Sequence, residues 1–245
     1  MNMDLTSLNL PPNPTIIDCG CNEGQWLDHV KPQLHGQPRI VSIDMLYPEA
    51  KRCQDIHPDV LVVNCALVDS ETISVVCHRD CECSQCSSIL KGTEMLDKLC
   101  GHVHKPQVLA RRHEWSESSS LLPMTEMHDK VWGSPTHVPV GEEQVLAVPL
   151  DLITKLLMIE HVDLLKLDLQ GYELHALHGA LDTLAMTDHV ISEVSWVELY
   201  EGQVLYSELN EFMEQSGFVH KHFYDLRRVP PDIRWVCGDA LWSRK

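Results

Sequence analysis

Three short apolar runs, each set off by a helical pattern, constrain this chain more than any other feature. TIIDCG (from Thr15) ends at a glycine and reads as a buried strand leading into a turn. From about Glu23 to Leu34 the spacing of Trp26, Leu27, Val30 and Leu34 puts them on one side of a helix. RIVSID is a second strand, PEAKRCQDI opens the next helix with Pro48 at a favourable first position, and VLVVNCALVD is a third strand. Strand, helix, strand, helix, strand at this spacing predicts a parallel, doubly wound α/β sheet.

The middle breaks this pattern. From about Cys77 to Pro139 the chain is rich in Cys, His and Ser and poor in periodicity. Regular structure returns with QVLAVPLDLI, then VDLLKLDL, a continuous apolar strand carrying one lysine. YELHALHGALDTL follows as a helix, HVISEVSW as a strand, SELNEFMEQSGF as an amphipathic helix stopping at Gly217, and RWVCGDALW as a last strand. The 245 residues suit a lead-in over 1–13 and one domain over 14–245, with an irregular Cys/His-rich insertion at about 77–114.

Charge limits the partners. The formal net charge of −17 repels phosphate backbones and anionic surfaces, so nucleic acid is a disfavoured substrate. No run approaches the roughly 18 apolar residues of a membrane span, and the N-terminus lacks the basic and apolar regions of a secretory signal, so a cytoplasmic protein is expected. Ten cysteines in a chain this long, several within core strands, read as reduced thiols rather than a disulfide framework.

At the end of the first strand, Asp18, Gly20 and Gly24 form D-x-G-x-x-x-G, and Asp44 ends the second strand. Glycine there lets a ligand approach the backbone, and a strand-end carboxylate can accept from both hydroxyls of a ribose. The spacing does not fit the G-x-G-x-x-G loop of dinucleotide sites. The alternative is a plain strand-end turn with a capping aspartate.

The ordered set IIDCGCNEGQW, VSID, VVNCALVD, SSSLLP, VPLDLI, LLKLDLQGYELHALHGA, ISEVSW and GDALW resembles the FkbM family of methyltransferases. LLKLDLQGYELHALHGA is similar to that family's K-x-D-x-[EQ]-G-x-E-x-x-x-L-x-G-A signature at every marked position. The resemblance implies a class I, Rossmann-like methyltransferase sheet and S-adenosylmethionine as donor. It also implies an acceptor hydroxyl on a sugar, glycolipid or polyketide-like compound. On this reading Asp18, Gly20, Asn22, Gly24, Asp44 and Asn64 surround the donor.

O-methyl transfer needs a positioned hydroxyl and a group to take its proton. Asp168 at the end of VDLLKLDL is the first candidate and Glu173 the second, although both could simply serve the helix that follows. Lys166 in a buried strand calls for a carboxylate partner, and Glu193 is similarly placed without an assigned role. Ser119, Ser120 and His128 are candidates for a loop over the acceptor, against a plain Ser-rich linker. In the insertion, Cys83, Cys86, Cys100 and His102 have the composition of a structural zinc site. Other readings are a protein or nucleic-acid methyltransferase, and a non-catalytic binding or metal-sensing protein on the same fold.

Overall fold

The structure, a computed structural model, describes residues 4–69, 72, 107–113, 119–133, 140–228 and 235–245. The first three apolar runs form β1 (Thr15–Cys19), β2 (Arg39–Asp44) and β3 (Leu61–Asn64), separated by α1 (Gln25–Val30) and α2 (Tyr47–Ile56). Later come β7 (Val162–Leu167), β8 (Thr187–Ser195), β9 (Phe218–Arg228) and β10 (Trp235–Arg244). These seven strands form one sheet in the order β3-β2-β1-β7-β8-β10-β9. All neighbours pair in parallel except β10, which runs antiparallel between β8 and β9. The expected mostly parallel α/β sheet is therefore present. The strand order reverses between β1 and β7, and that switch point is where such sheets open a crevice beyond the strand ends.

Period-two alternation sorts the strand side chains into two cores. Ile16, Ile40 and Leu164 pack with Trp26, Leu27 and Val30 of α1 on one face. Ile17, Val41 and Leu165 pack on the other with α4 (Leu150–Leu156), α5 (Glu173–His178), α6 (Leu181–Ala185) and α7 (Tyr206–Gln215). Each fully buried leucine contributes about 1.5–3 kcal/mol relative to exposure. Every residue of β7 is buried, as a central strand covered on both faces requires. The described cysteines 19, 21, 53, 65 and 237 are buried free thiols, so the core reading of Cys19, Cys21 and Cys65 holds.

Three local expectations need correction. VLVVNCALVD is not one strand: β3 stays in the main sheet, while β4 (Ala66–Leu67) pairs with β6 (Gly141–Val148) in a second sheet of order β4-β6-β5. β5 (Gln107–Arg112) and α3 (Glu126–Trp132) lie inside the stretch read as lacking regular structure, β5 within the supposed irregular insertion itself. YELHALHGALDTL breaks into α5 and α6 around Gly179. A Cβ there would sit 2.1 Å from the Val68 carbonyl, so a close pass of β4 fixes the break. Among the described residues no helix is long and apolar enough to cross a membrane.

Candidate functional site

Beyond the carboxyl ends of β1 and β7 lies a cavity of about 420 Å³. One half is bounded by Gly20 and Asn22 of the β1–α1 loop, Asp44 at the end of β2, and Cys65 to Leu67. The other half meets Asp168, Gln170, Glu193 and Asp239, with His128 and Trp132 of α3. The switch-point topology thus brings Gly20, Asn22, Asp44, Ser119, His128, Lys166, Asp168 and Glu193, all singled out in the sequence, to one cavity.

Asp44 is pinned by the main chain. One carboxylate oxygen accepts from Asn22 N–H at 2.8 Å and the other from Leu46 N–H at 2.9 Å. Burial outweighs these bonds and pushes its carboxyl up to about 6. Ile43, Met45, Leu46, Ala66 and Leu67 line the cavity beside it. A fixed carboxylate next to an apolar slot fits a nucleoside, with hydroxyls at the acid and the base in the slot. The donor set therefore suits S-adenosylmethionine.

Of the other donor-site candidates Gly20 lines the cavity, while Asp18, Gly24 and Asn64 lie behind its wall. Gly20 has φ +78°, and a Cβ there would lie 1.8 Å from the Asp168 carbonyl. The approach of β1 to the β7 end is by itself enough to require glycine there. Gly24 packs against Cys53 of α2 and His57 just after it and does not line the cavity. Asn64 is likewise outside it, where its side-chain amide donates to the carbonyls of Asp44 and Met45 and holds the β2 end in place. Asp18 is fully buried and sits 3.1 Å from Lys166 Nζ, without the alignment of a directed hydrogen bond.

Lys166 is the hinge of the electrostatics. Its Nζ also donates to the Gly20 carbonyl at 3.1 Å and stands 3.5 Å from Asp168. Burial opposes its charge, but Asp18 and Asp168 more than compensate and hold the ammonium well above the ordinary lysine range. The structural ion pair expected for this buried lysine is present.

The acceptor-side candidates divide sharply. Asp168 faces the cavity and accepts from Gln170 Nε2 at 2.6 Å. The same amide donates to Glu193 at 3.1 Å, and Gln170 Oε1 accepts from Tyr200 O–H at 2.6 Å. Ser120 donates to the Gln170 carbonyl at 2.7 Å, which helps hold this residue at φ +53°. Glu173 instead points into the β7–α5 turn and accepts from the N–H groups of Leu169 and Gly171. Burial pushes its carboxyl up to about 7. It braces the turn and does not line the cavity.

His128 does line it, stacked on Trp132 at 4.3 Å, and burial lowers its ring to about 4, so the imidazole is neutral near pH 7. Ser119 lines the cavity too, its hydroxyl accepting from His113 N–H at 3.3 Å. Cys83, Cys86, Cys100 and His102, the zinc set suggested by the sequence, lie outside the described residues.

Sequence reasoning missed Asp239, Trp132 and Tyr200. Asp239 lies in the quoted GDALW run, but alternation along a strand assigns only a face of the sheet, and its place at the cavity comes from the pairing of β10 with β8. Trp132 and Tyr200 sit in stretches without a periodic signal.

No curated protein matches this sequence. Among solved structures, a FkbM methyltransferase from Methylobacillus flagellatus KT is 14% identical with a TM-score of 0.48, over 97% of this chain and 45% of that one. A TehB-like SAM-dependent methyltransferase from Corynebacterium glutamicum is 11% identical with a TM-score of 0.43, over 98% and 85%. A SAM-dependent methyltransferase from Aquifex aeolicus is 9% identical with a TM-score of 0.43, over 98% and 87%. The Methyltransferase FkbM domain profile matches residues 18–219, across both halves of the cavity. By that match the chain belongs to the FkbM methyltransferases, a family that draws its methyl group from S-adenosylmethionine.

Proposed function

We propose that this chain transfers a methyl group from S-adenosylmethionine to a hydroxyl of a sugar or other small polyol-like natural product. The donor lies along Gly20, Asn22 and Asp44, with its adenine toward Ala66 and Leu67. The bound donor supplies an electrophilic methyl on a sulfonium. The chain's own residues do the rest. Asp44 accepts from the ribose hydroxyls, while Asp168, 3.5 Å from the Lys166 ammonium, accepts from the acceptor hydroxyl and turns its oxygen toward the methyl.

The observation that carries this reading is the lining of the acceptor half. Asp168, Glu193 and Asp239 offer oxygens that can bond several hydroxyls, and His128, neutral near pH 7, lines the same cavity. The same acids, on a chain of charge −17, oppose a phosphate-bearing substrate. The test is incubation with tritiated S-adenosylmethionine and separate pools of neutral sugars, glycolipids, protein and RNA. Label in an alkali-stable ether of a neutral small molecule is expected. Label confined to RNA or protein refutes the proposal.

A further inference from the structure

Glu193 and Asp239 are directly opposed partners across the antiparallel β8–β10 pair, so their side chains leave the same face of the sheet. One strand over, Leu167 pairs with Ser192, which places Asp168 in step with Glu193. Three acids thus stand side by side in register, just past β7 and within β8 and β10, facing one cavity. Like charges directly opposite destabilise a sheet unless something neutralises them.

The protein neutralises only part of this row. Lys166 stands near Asp168, and the Gln170 amide bridges Asp168 and Glu193. Asp239 is 7% exposed and lines the cavity, yet no hydrogen bond or ion pair reaches its carboxylate among the described residues. A buried carboxylate without a hydrogen-bonded partner is costly, and a cation in the cavity would offset that cost.

We propose that Glu193 and Asp239 hold a hard divalent cation of the magnesium class, with Asp168 reaching it through water or through the acceptor. An all-oxygen set of carboxylates suits such an ion. The row does not bring three ligand oxygens within 4.8 Å of one another; among the described residues only His161, Asp163 and Asp188 do so, near the opposite end of β7 and β8. Two carboxylates suffice here, because magnesium keeps several waters and commonly takes only one or two from the protein. An organic ammonium group fits less well. The nearby rings that would cradle one are already covered, Trp132 by Arg227 at 5.1 Å and Trp26 by Lys166 at 5.8 Å. Beside the acceptor, the cation would favour the alkoxide over the hydroxyl, a purpose that rests on the methyl-transfer reading. Binding of the ion itself does not depend on that reading.

The full chain is titrated with MnCl2, followed by electron paramagnetic resonance, and with MgCl2 by calorimetry. S-adenosylhomocysteine is titrated separately, so loss of donor binding and loss of metal binding are read independently. One manganese per chain is expected at this site. Asp239→Asn and Glu193→Gln should each weaken it about tenfold or more while S-adenosylhomocysteine still binds, and Asp188→Asn should leave it unchanged. The proposal is overturned by no manganese binding in a chain that binds S-adenosylhomocysteine, or by binding that survives both cavity substitutions. Loss on Asp188→Asn alone also overturns it, as does a calorimetric response to glucosamine with none to either metal.

Discussion

Asp44→Asn should separate donor binding from stability, and do so with opposite pH dependences. The Asp44 carboxyl titrates at about 6 in the fold against an ordinary 3.8, because burial outweighs the N–H bonds from Leu46 and Asn22. Between those values the folded chain binds a proton that the unfolded chain has released. The stabilisation from this group is therefore complete below pH 3.8 and lost as pH rises through 6. The gap between 3.8 and 6 corresponds to about 3 kcal/mol at neutral pH.

Asparagine removes that charge but turns an amide nitrogen toward one of the two backbone N–H groups, a loss of about 1–2 kcal/mol. The variant without ligand should thus gain about 1–2 kcal/mol at pH 7, and the gain should vanish near pH 5 and become a loss of about 1–2 kcal/mol by pH 4. Donor binding should move the other way. Losing one charge-assisted hydrogen bond to a ribose hydroxyl costs about 1.5–3 kcal/mol, or roughly 10- to 100-fold in affinity. In the wild type, protonation of Asp44 should weaken S-adenosylhomocysteine about tenfold between pH 7 and pH 5. Urea denaturation from pH 4 to 8 and calorimetry with S-adenosylhomocysteine measure the two effects. If the variant binds within twofold of wild type, or wild-type affinity is flat from pH 7 to 5, Asp44 does not hold the ribose and the reasoning fails.

Lys166→Met leaves Asp18 buried without its countercharge and should cost about 3–5 kcal/mol in urea denaturation, much of it recovered by adding Asp18→Asn. No recovery in the double variant would count against the ion pair. Gly20→Ala forces a Cβ into the Asp168 carbonyl at positive φ and should lower stability by at least about 3 kcal/mol, seen as a lower melting temperature by circular dichroism. Tyr200→Phe strands Gln170 Oε1 and should cost about 1–2 kcal/mol by the same urea assay, with an unchanged S-adenosylhomocysteine affinity.

The centre of the sheet was legible because β1, β2 and β7 are buried on both faces and spell themselves out as apolar runs. β9 was not, because FVHKHFYDLRR lies at the sheet edge and only Phe218 in it is fully buried. The donor half was legible for a related reason: Asp44 and Asn22 follow directly from strand ends that the pattern marks. The acceptor half depends on which strand ends up beside which. Glu193 and Asp239 are far apart in sequence and become neighbours only through the insertion of β10 between β8 and β9. The orientation of Glu173 was not legible, because spacing alone cannot tell a carboxylate facing a cavity from one turned back on the N–H groups of its own turn.

That insertion also sets a timetable. Sequential synthesis can complete β1, β2, β7 and β8 with the donor loop already in place, but β8 then presents an open edge until α7 and β9 have been made and β10 slots in. β10 must displace whatever has paired with that edge in the meantime, so the pairing of β8 with β10 is a long-range step and a slow one. The acid row is assembled last, and a chain arrested before Trp235 would carry half a site beside an exposed strand primed to stick to another chain.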